Sequence, residues 1–444
     1  MTIRPLIGRG AVLALVLAVL AGCSSGWFGA AEEPPLPGKR VPVLLYDGEL
    51  EPDPAVAGRA IELPPTYRNT SWSQSAGGPL HALGHVEGPT VLKSPAWNVD
   101  IGSGAGWYRP LLSAPVVSGG RVYTMDATFD ISAYDAAKGK RLWRTAVAPE
   151  SRDSEAYGGG LAYDGGRVYV ATGAAEAAAL EAETGEILWR QPLPAPVHGA
   201  PLMLDGRMFV VTLDNQLVAL DAATGAGEWR HAGFSETAML LGAASPAGTG
   251  GTVIAPYSSG ELYAVRTANG RPTWSESLAA VRRVDATAGL GDILADPVTD
   301  GNTVYAVSHS GRTVAIDMRT GARVWERNVG GVQTPWLAGD WLFMVTNEAQ
   351  LVALTRRDGR VRWISQLDRY GNPDAKSSPI HWVGPLLVSG TLLVFSYHVR
   401  AIAAEPANGE TIASYRIDDG VMAAAVADGT LYLQTEDADL IAYR

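Results

Sequence analysis

The chain is poor in cysteine, in cationic side chains and in enzyme motifs, and each shortage excludes a class of protein. A single cysteine, Cys23, among 444 residues rules out any intramolecular disulfide. Lys and Arg number 35 against 46 Asp and Glu, a formal net charge of −11, which argues against a nucleic-acid partner because phosphates reward basic surfaces. There is no His-Glu-x-x-His zinc motif, although His81 and His85 have the spacing, and their Gly and Pro neighbours disfavour a helix. The other histidines have no Gly-x-Ser-x-Gly nucleophile elbow to serve. Gly102, Gly104 and Gly106 do not complete a dinucleotide-binding loop. Glu436, Asp437 and Asp439 lack the spacing of a calcium loop. What remains is an ordinary globular balance, 47% hydrophobic and 18% charged, which excludes disorder throughout.

The N-terminus reads as an export signal. Arg4 and Arg9 precede an apolar stretch from Ala11 to Leu20, followed by Leu20-Ala21-Gly22-Cys23. A permanent membrane span needs about 20 apolar residues, so cleavage is expected instead. The block resembles the lipobox of bacterial lipoproteins, which implies acylation of Cys23, removal of residues 1–22 and durable membrane anchoring. Loss of Arg4 and Arg9 leaves the mature chain at −13. Ser24 after the cysteine implies, by that resemblance, delivery to the outer membrane. Residues 23–66 carry eight prolines with no sustained apolar periodicity, which predicts an extended tether. Residues 67–94 read as irregular chain packed over the folded body.

From residue 95 the sequence repeats. Tyr134-Asp135 to Gly139 and Trp143 recurs as Leu180-Glu181 to Gly185 and Trp189, then as Leu220-Asp221 to Gly225 and Trp229. Weaker copies end in Gly270 and Trp274, Gly321 and Trp325, and Gly359 and Trp363; a seventh keeps Gly409 but has Ala413 in place of Trp. Spacings of 38 to 51 residues between these glycines suit the blades of a β-propeller. Each copy predicts an alternating strand, a turn held by the acidic residue, a bulged Gly, and a returning strand whose Trp wedges between sheets. Two further strands upstream make four per blade.

An eighth copy starts near Ala423 and stops at Arg444 without its outermost strand, while Pro95-Ala96-Trp97-Asn98-Val99-Asp100 is a Trp-bearing strand without a hairpin. Pairing the two closes an all-β, eight-bladed ring over residues 95–444 and removes the open edge.

These Asp-x-x-x-Gly-x-x-x-Trp copies resemble the tryptophan-docking repeats of pyrroloquinoline-quinone dehydrogenases. Together with the lipobox and tether they are more similar to the BamB family, propeller lipoproteins of the β-barrel assembly machinery of the bacterial outer membrane. The resemblance implies a non-enzymatic periplasmic scaffold without cofactor that binds the barrel-forming subunit and helps barrel proteins insert. It implies Trp97, Trp143, Trp189, Trp229, Trp274, Trp325 and Trp363 as docking residues. It also places partner contacts in two loops: Leu240 matches a family leucine and Asp292 a family acid, whereas Leu241 and Leu294 replace a family arginine and a second acid. Read from the residues alone, Leu240 serves equally as the start of an inner strand and Asp292 as a turn cap. Edge strands offer unfolded outer-membrane protein segments a place for β-augmentation. The alternatives are a quinone-dependent dehydrogenase-like propeller, disfavoured by the missing cysteine pair, and a propeller lipoprotein binding another envelope component.

Overall fold

A computed structural model describes residues 50–106, 113–147, 156–236, 240–279, 291–398 and 400–444. The chain divides into Met1–Glu49, outside the described residues, and one compact unit, Leu50–Arg444.

That unit is an eight-bladed propeller of four-stranded antiparallel sheets. Blade one comprises Val116–Ser118, Arg121–Met125, Asp130–Asp135 and Arg141–Ala146, running from the axis outward. The second and third strands of each blade are buried on both faces, since each sheet is sandwiched between two others; the outer strand alternates, as in Arg141–Ala146. Seven blades share a register shift where the third strand turns into the fourth, for example between Ala133 and Tyr134. The turn acid holds the bend by accepting a backbone N–H, as Asp135 does from Lys138 at 2.8 Å.

Blade eight closes the ring. Trp97–Asp100 pairs antiparallel with Asp439–Tyr443, Trp97 facing Ala442, and the inner strands are Val421–Ala427 and Thr430–Thr435. The last two strands of this blade come from opposite ends of the propeller sequence, so no hairpin turn joins them. An indole in blade seven would therefore have no Gly turn to dock on, which accounts for Ala413.

Two segments depart from expectation. Residues 53–66, assigned by composition to the tether, lie on blade six: Asp53 N–H donates to the Val361 carbonyl at 2.8 Å, Arg360 pairs with Asp53 at 3.1 Å, and the Arg59 guanidinium sits 5.3 Å from the centre of the Trp341 ring. Proline-rich chain needs no partner strand to be ordered when ion pairs and a cation–π contact hold it. The second departure is a small exposed hairpin, Tyr370–Asn372 with Ser377–Pro379, between blades six and seven.

Residues 67–88 make a complete circuit of the axis. In chain order they bond the inner strands or their turns in blades eight and then one to seven. The Asn69 amide donates to Val426 O at 2.9 Å, and Trp72 exchanges backbone bonds with Val117. Ser73 O accepts from Tyr163 N–H, and the Gln74 amide makes two bonds to the backbone of Met203. Pro79 O accepts from Gly248, Leu80 O from Thr299, Gly84 O from the Trp336 indole, and Val86 bonds Leu387 and Ser389. Trp72 stacks on Trp336 from the other side of the ring, centroids 6.4 Å apart, so this hoop fills the axis at its end of the propeller.

Candidate functional site

Cys23 lies outside the described residues. The seven docking tryptophans share one geometry: each indole N–H donates to a backbone carbonyl at the turn of the following blade. Trp97 reaches Ala136 O, Trp143 Ala182 O, Trp189 Ala222 O and Trp229 Thr267 O, while Trp274 reaches Met318 O, Trp325 Arg356 O and Trp363 Pro406 O, all within 2.8–3.2 Å. The glycine is required by both backbone and ring. At Gly185 φ is +77°, and a Cβ would lie 2.6 Å from the Trp143 ring.

Rigid blades leave the loops at the hoop-free end to form a site. The segment leading to blade four, described from Leu240, and the segment Gly291 to Pro297 leading to blade five are tied together. Leu240 N–H donates to Asp292 Oδ1 at 3.3 Å, and Ser245 N–H donates to Asp296 Oδ1 at 2.7 Å. Asp296 also accepts the Ser75 hydroxyl of the hoop at 2.6 Å. Asp292 is only 2% exposed, its Oδ2 has no partner, and desolvation pushes its carboxyl above the usual carboxylate range. Its place is beneath the loops rather than on their surface. Leu240 is half-buried, whereas Leu241 is 58% exposed and Phe234, where the outer strand of blade three leaves the sheet, is 72% exposed. Leu294 packs within reach of Gly242, joining the loops on their apolar side.

Inside this rim lies a cavity of about 680 Å³ on the propeller axis, to which every blade contributes, from Ala114 before blade one to Met422 in blade eight. Ser75 of the hoop forms part of its floor.

A family model described as outer membrane protein assembly factor BamB matches residues 127–365, more than half of the chain. The chain belongs to the BamB family. BamB of Yersinia pestis is 26% identical over 372 residues, 82% of this chain and 91% of its own length. BamB of Vibrio cholerae is 34% identical over 251 residues, 56% of this chain. An uncharacterised protein of Rickettsia conorii is 28% identical over 265 residues. In these last two the match spans 64% of the relative's length. The crystal structure of BamB from Moraxella catarrhalis superposes with a TM-score of 0.66 at 18% identity, covering 78% of this chain and all of that one. A quinohemoprotein alcohol dehydrogenase from Comamonas testosteroni gives 0.62 at 14%, covering 85% and 80%. Both structural likenesses concern the fold alone.

Among the described residues lining the axial cavity of this BamB-family chain no Lys or Arg offers a counter-charge to the carboxylates of a quinone cofactor, and among the described residues no three metal-ligating side chains converge. Phe234 escaped sequence reasoning because a lone aromatic at a strand end has no periodic signal; only its exposure marks it. His81, by contrast, is a buried packing residue, its Nδ1 2.9 Å from Pro297 O.

Proposed function

We propose that this chain is a non-enzymatic scaffold lipoprotein of the outer-membrane β-barrel assembly machinery, anchored through acylated Cys23. It grips the barrel-forming subunit with the paired loops before blades four and five. Family membership supports the assembly role. The observation carrying the interface is an exposed apolar rim, Phe234 and Leu241, on loops braced from below by the buried Asp292 carboxylate. Large apolar side chains held out on a rigid frame are what a protein partner buries as anchors. Leu240 and Asp292 act in this reading as positioning residues as much as contacts, because both are drawn inward. The replacement of the family arginine by Leu241 keeps a packed contact while removing a charged one.

The test is capture of the barrel-forming subunit from detergent-solubilised outer membranes by the full-length lipoprotein carrying Phe234→Ser and Leu241→Asp. Recovery should fall at least tenfold with an unchanged thermal melt. Undiminished recovery by a folded variant places the grip elsewhere.

A further inference from the structure

The blades are copies of one design, and blade three departs from it at the rim. Four residues after each docking tryptophan, or after Ala413 in blade seven, the chain leaves the outer strand. In seven blades that residue is a buried aliphatic, at most 8% exposed: Ile101, Val147, Leu193, Leu278, Val329, Leu367 and Ile417. Blade three has Gly233 there, and Tyr257 of blade four, 1% exposed, covers it so closely that a Cβ would lie 2.6 Å from the ring. The next residue is Gly, Ala, Pro or Asp in every other blade, but in blade three it is Phe234, 72% exposed. Seven blades make the same exit without an exposed aromatic, so the fold itself does not require one.

Side chains from two blades hold the backbone of Phe234. Its N–H donates to Glu261 Oε2 at 2.9 Å, and its carbonyl accepts the Asn215 side-chain amide at 2.6 Å, while Gly233 N–H donates to the Asn215 carbonyl at 2.8 Å. Asn215 is 2% exposed, in the turn between the second and third strands of blade three. Its Oδ1 accepts the Ser258 N–H at 3.0 Å, which fixes the oxygen end of the amide and turns the nitrogen toward Phe234. Glu261, at the start of the third strand of blade four, is held in turn by the Ser259 and Tyr263 hydroxyls at 2.9 and 3.1 Å. Ala175 and Ala349 stand at the turn positions corresponding to Asn215 with the same left-handed backbone, φ +56° and +52° against +57°, and have no amide to offer. A residue already ordered in the free protein loses less entropy when a partner covers it.

We propose that Gly233, Asn215 and Glu261 hold Phe234 outward as a preorganised anchor, which makes Asn215 and Glu261 positioning residues of the partner interface. This rests on the reading of Phe234 as a contact for the barrel-forming subunit, and it adds the device that aims the ring. Both side chains act through Phe234, so removing either matters to the partner only while the phenyl ring is present.

The test titrates full-length lipoprotein variants against the detergent-solubilised barrel-forming subunit. Asn215→Ala, which matches Ala175 and Ala349, and Glu261→Ala should each weaken binding at least threefold in a chain that stays folded by circular dichroism. Glu261→Gln keeps an acceptor for the Phe234 N–H and should restore affinity to within twofold of wild type. In a Phe234→Ala background, Asn215→Ala should bring no further loss, a coupling that a merely structural role would not show. If Asn215→Ala does not fold, Glu261→Ala takes its place in that cycle. A full loss that persists without the phenyl ring, or undiminished affinity where Phe234→Ala alone weakens binding, overturns the proposal. If Phe234→Ala leaves binding intact, the partner assignment fails, and the clamp is read instead from a nitroxide at Phe234→Cys in the Cys23→Ser chain. There Asn215→Ala should shorten the rotational correlation time at least twofold, supporting the clamp, and an unchanged spectrum overturns it.

Discussion

Replacing one docking tryptophan tests what holds the ring together. Trp274 is 8% exposed, its indole N–H reaches Met318 O at 2.8 Å, and Gly321 packs so closely that a Cβ there would lie 2.5 Å from the Trp274 side chain. Truncating a buried Trp to Ala costs about 3–5 kcal/mol, and the Met318 carbonyl left without its donor adds about 1 kcal/mol. Trp274→Phe keeps most of the apolar contact and loses only the hydrogen bond, for about 1–2 kcal/mol. Ala413→Trp supplies the missing indole of the seventh copy, but blade eight has no Gly turn to receive it. That variant should gain nothing and stay within about 0.5 kcal/mol of wild type or below it. Urea unfolding followed by tryptophan fluorescence and far-UV circular dichroism measures these differences, coincidence of the two curves supporting two-state analysis. A Trp274→Ala cost under about 1 kcal/mol, or an Ala413→Trp gain as large as a docking indole supplies, refutes the docking argument.

Three further outcomes follow from buried polar groups. His198 has a folded-state pKa of about 4 against 6.5 unfolded, so the unfolded chain binds more protons between those values and stability falls as pH drops through that window. The wild type should lose about 2 kcal/mol from this residue between pH 7.5 and 5; His198→Phe should flatten that part of a urea-midpoint profile, and an unchanged slope contradicts it. Asp292, held above the ordinary carboxylate range by desolvation, contributes stability at low pH that is lost as pH rises. Asp292→Asn retains an acceptor for Leu240 N–H, so its melting temperature relative to wild type should increase from pH 4 to pH 7; a widening deficit would show that the charge itself is stabilising. Gln74→Ala strips the Met203 backbone of both hydrogen-bond partners in the hoop and should cost about 2–4 kcal/mol in chemical denaturation, whereas a neutral result would make the hoop incidental to stability.

The ring was legible because each blade writes the same physical problem into sequence: an acid for the turn, a Gly for the bulge and a Trp for the wedge. Closure was legible for the same reason, since Trp97 stands without a hairpin and the final strand without a partner. The hoop was not. Its bonds are one or two to each of eight different blades, made by Asn69, Trp72, Gln74, Leu80 and their neighbours, and such contacts have no periodicity. Proline content also misled at residues 53–66, where Asp53 and Arg59 find charged and aromatic partners on blade six that only the fold brings near. At the candidate site, resemblance pointed to the two loops, and the structure brings Leu240 and Asp292 within a hydrogen bond. Composition could not reveal that Asp292 faces inward, because an acid before an inner strand reads alike whether it caps a loop or meets a partner.

The assembly role is tested most directly by a photo-reactive amino acid at position 241 of the full-length lipoprotein in intact outer membranes, with a matched probe at Asp205 on a turn at the hoop end. The account predicts an adduct with the barrel-forming subunit from position 241 and none from position 205. An adduct from position 205 alone would contradict it.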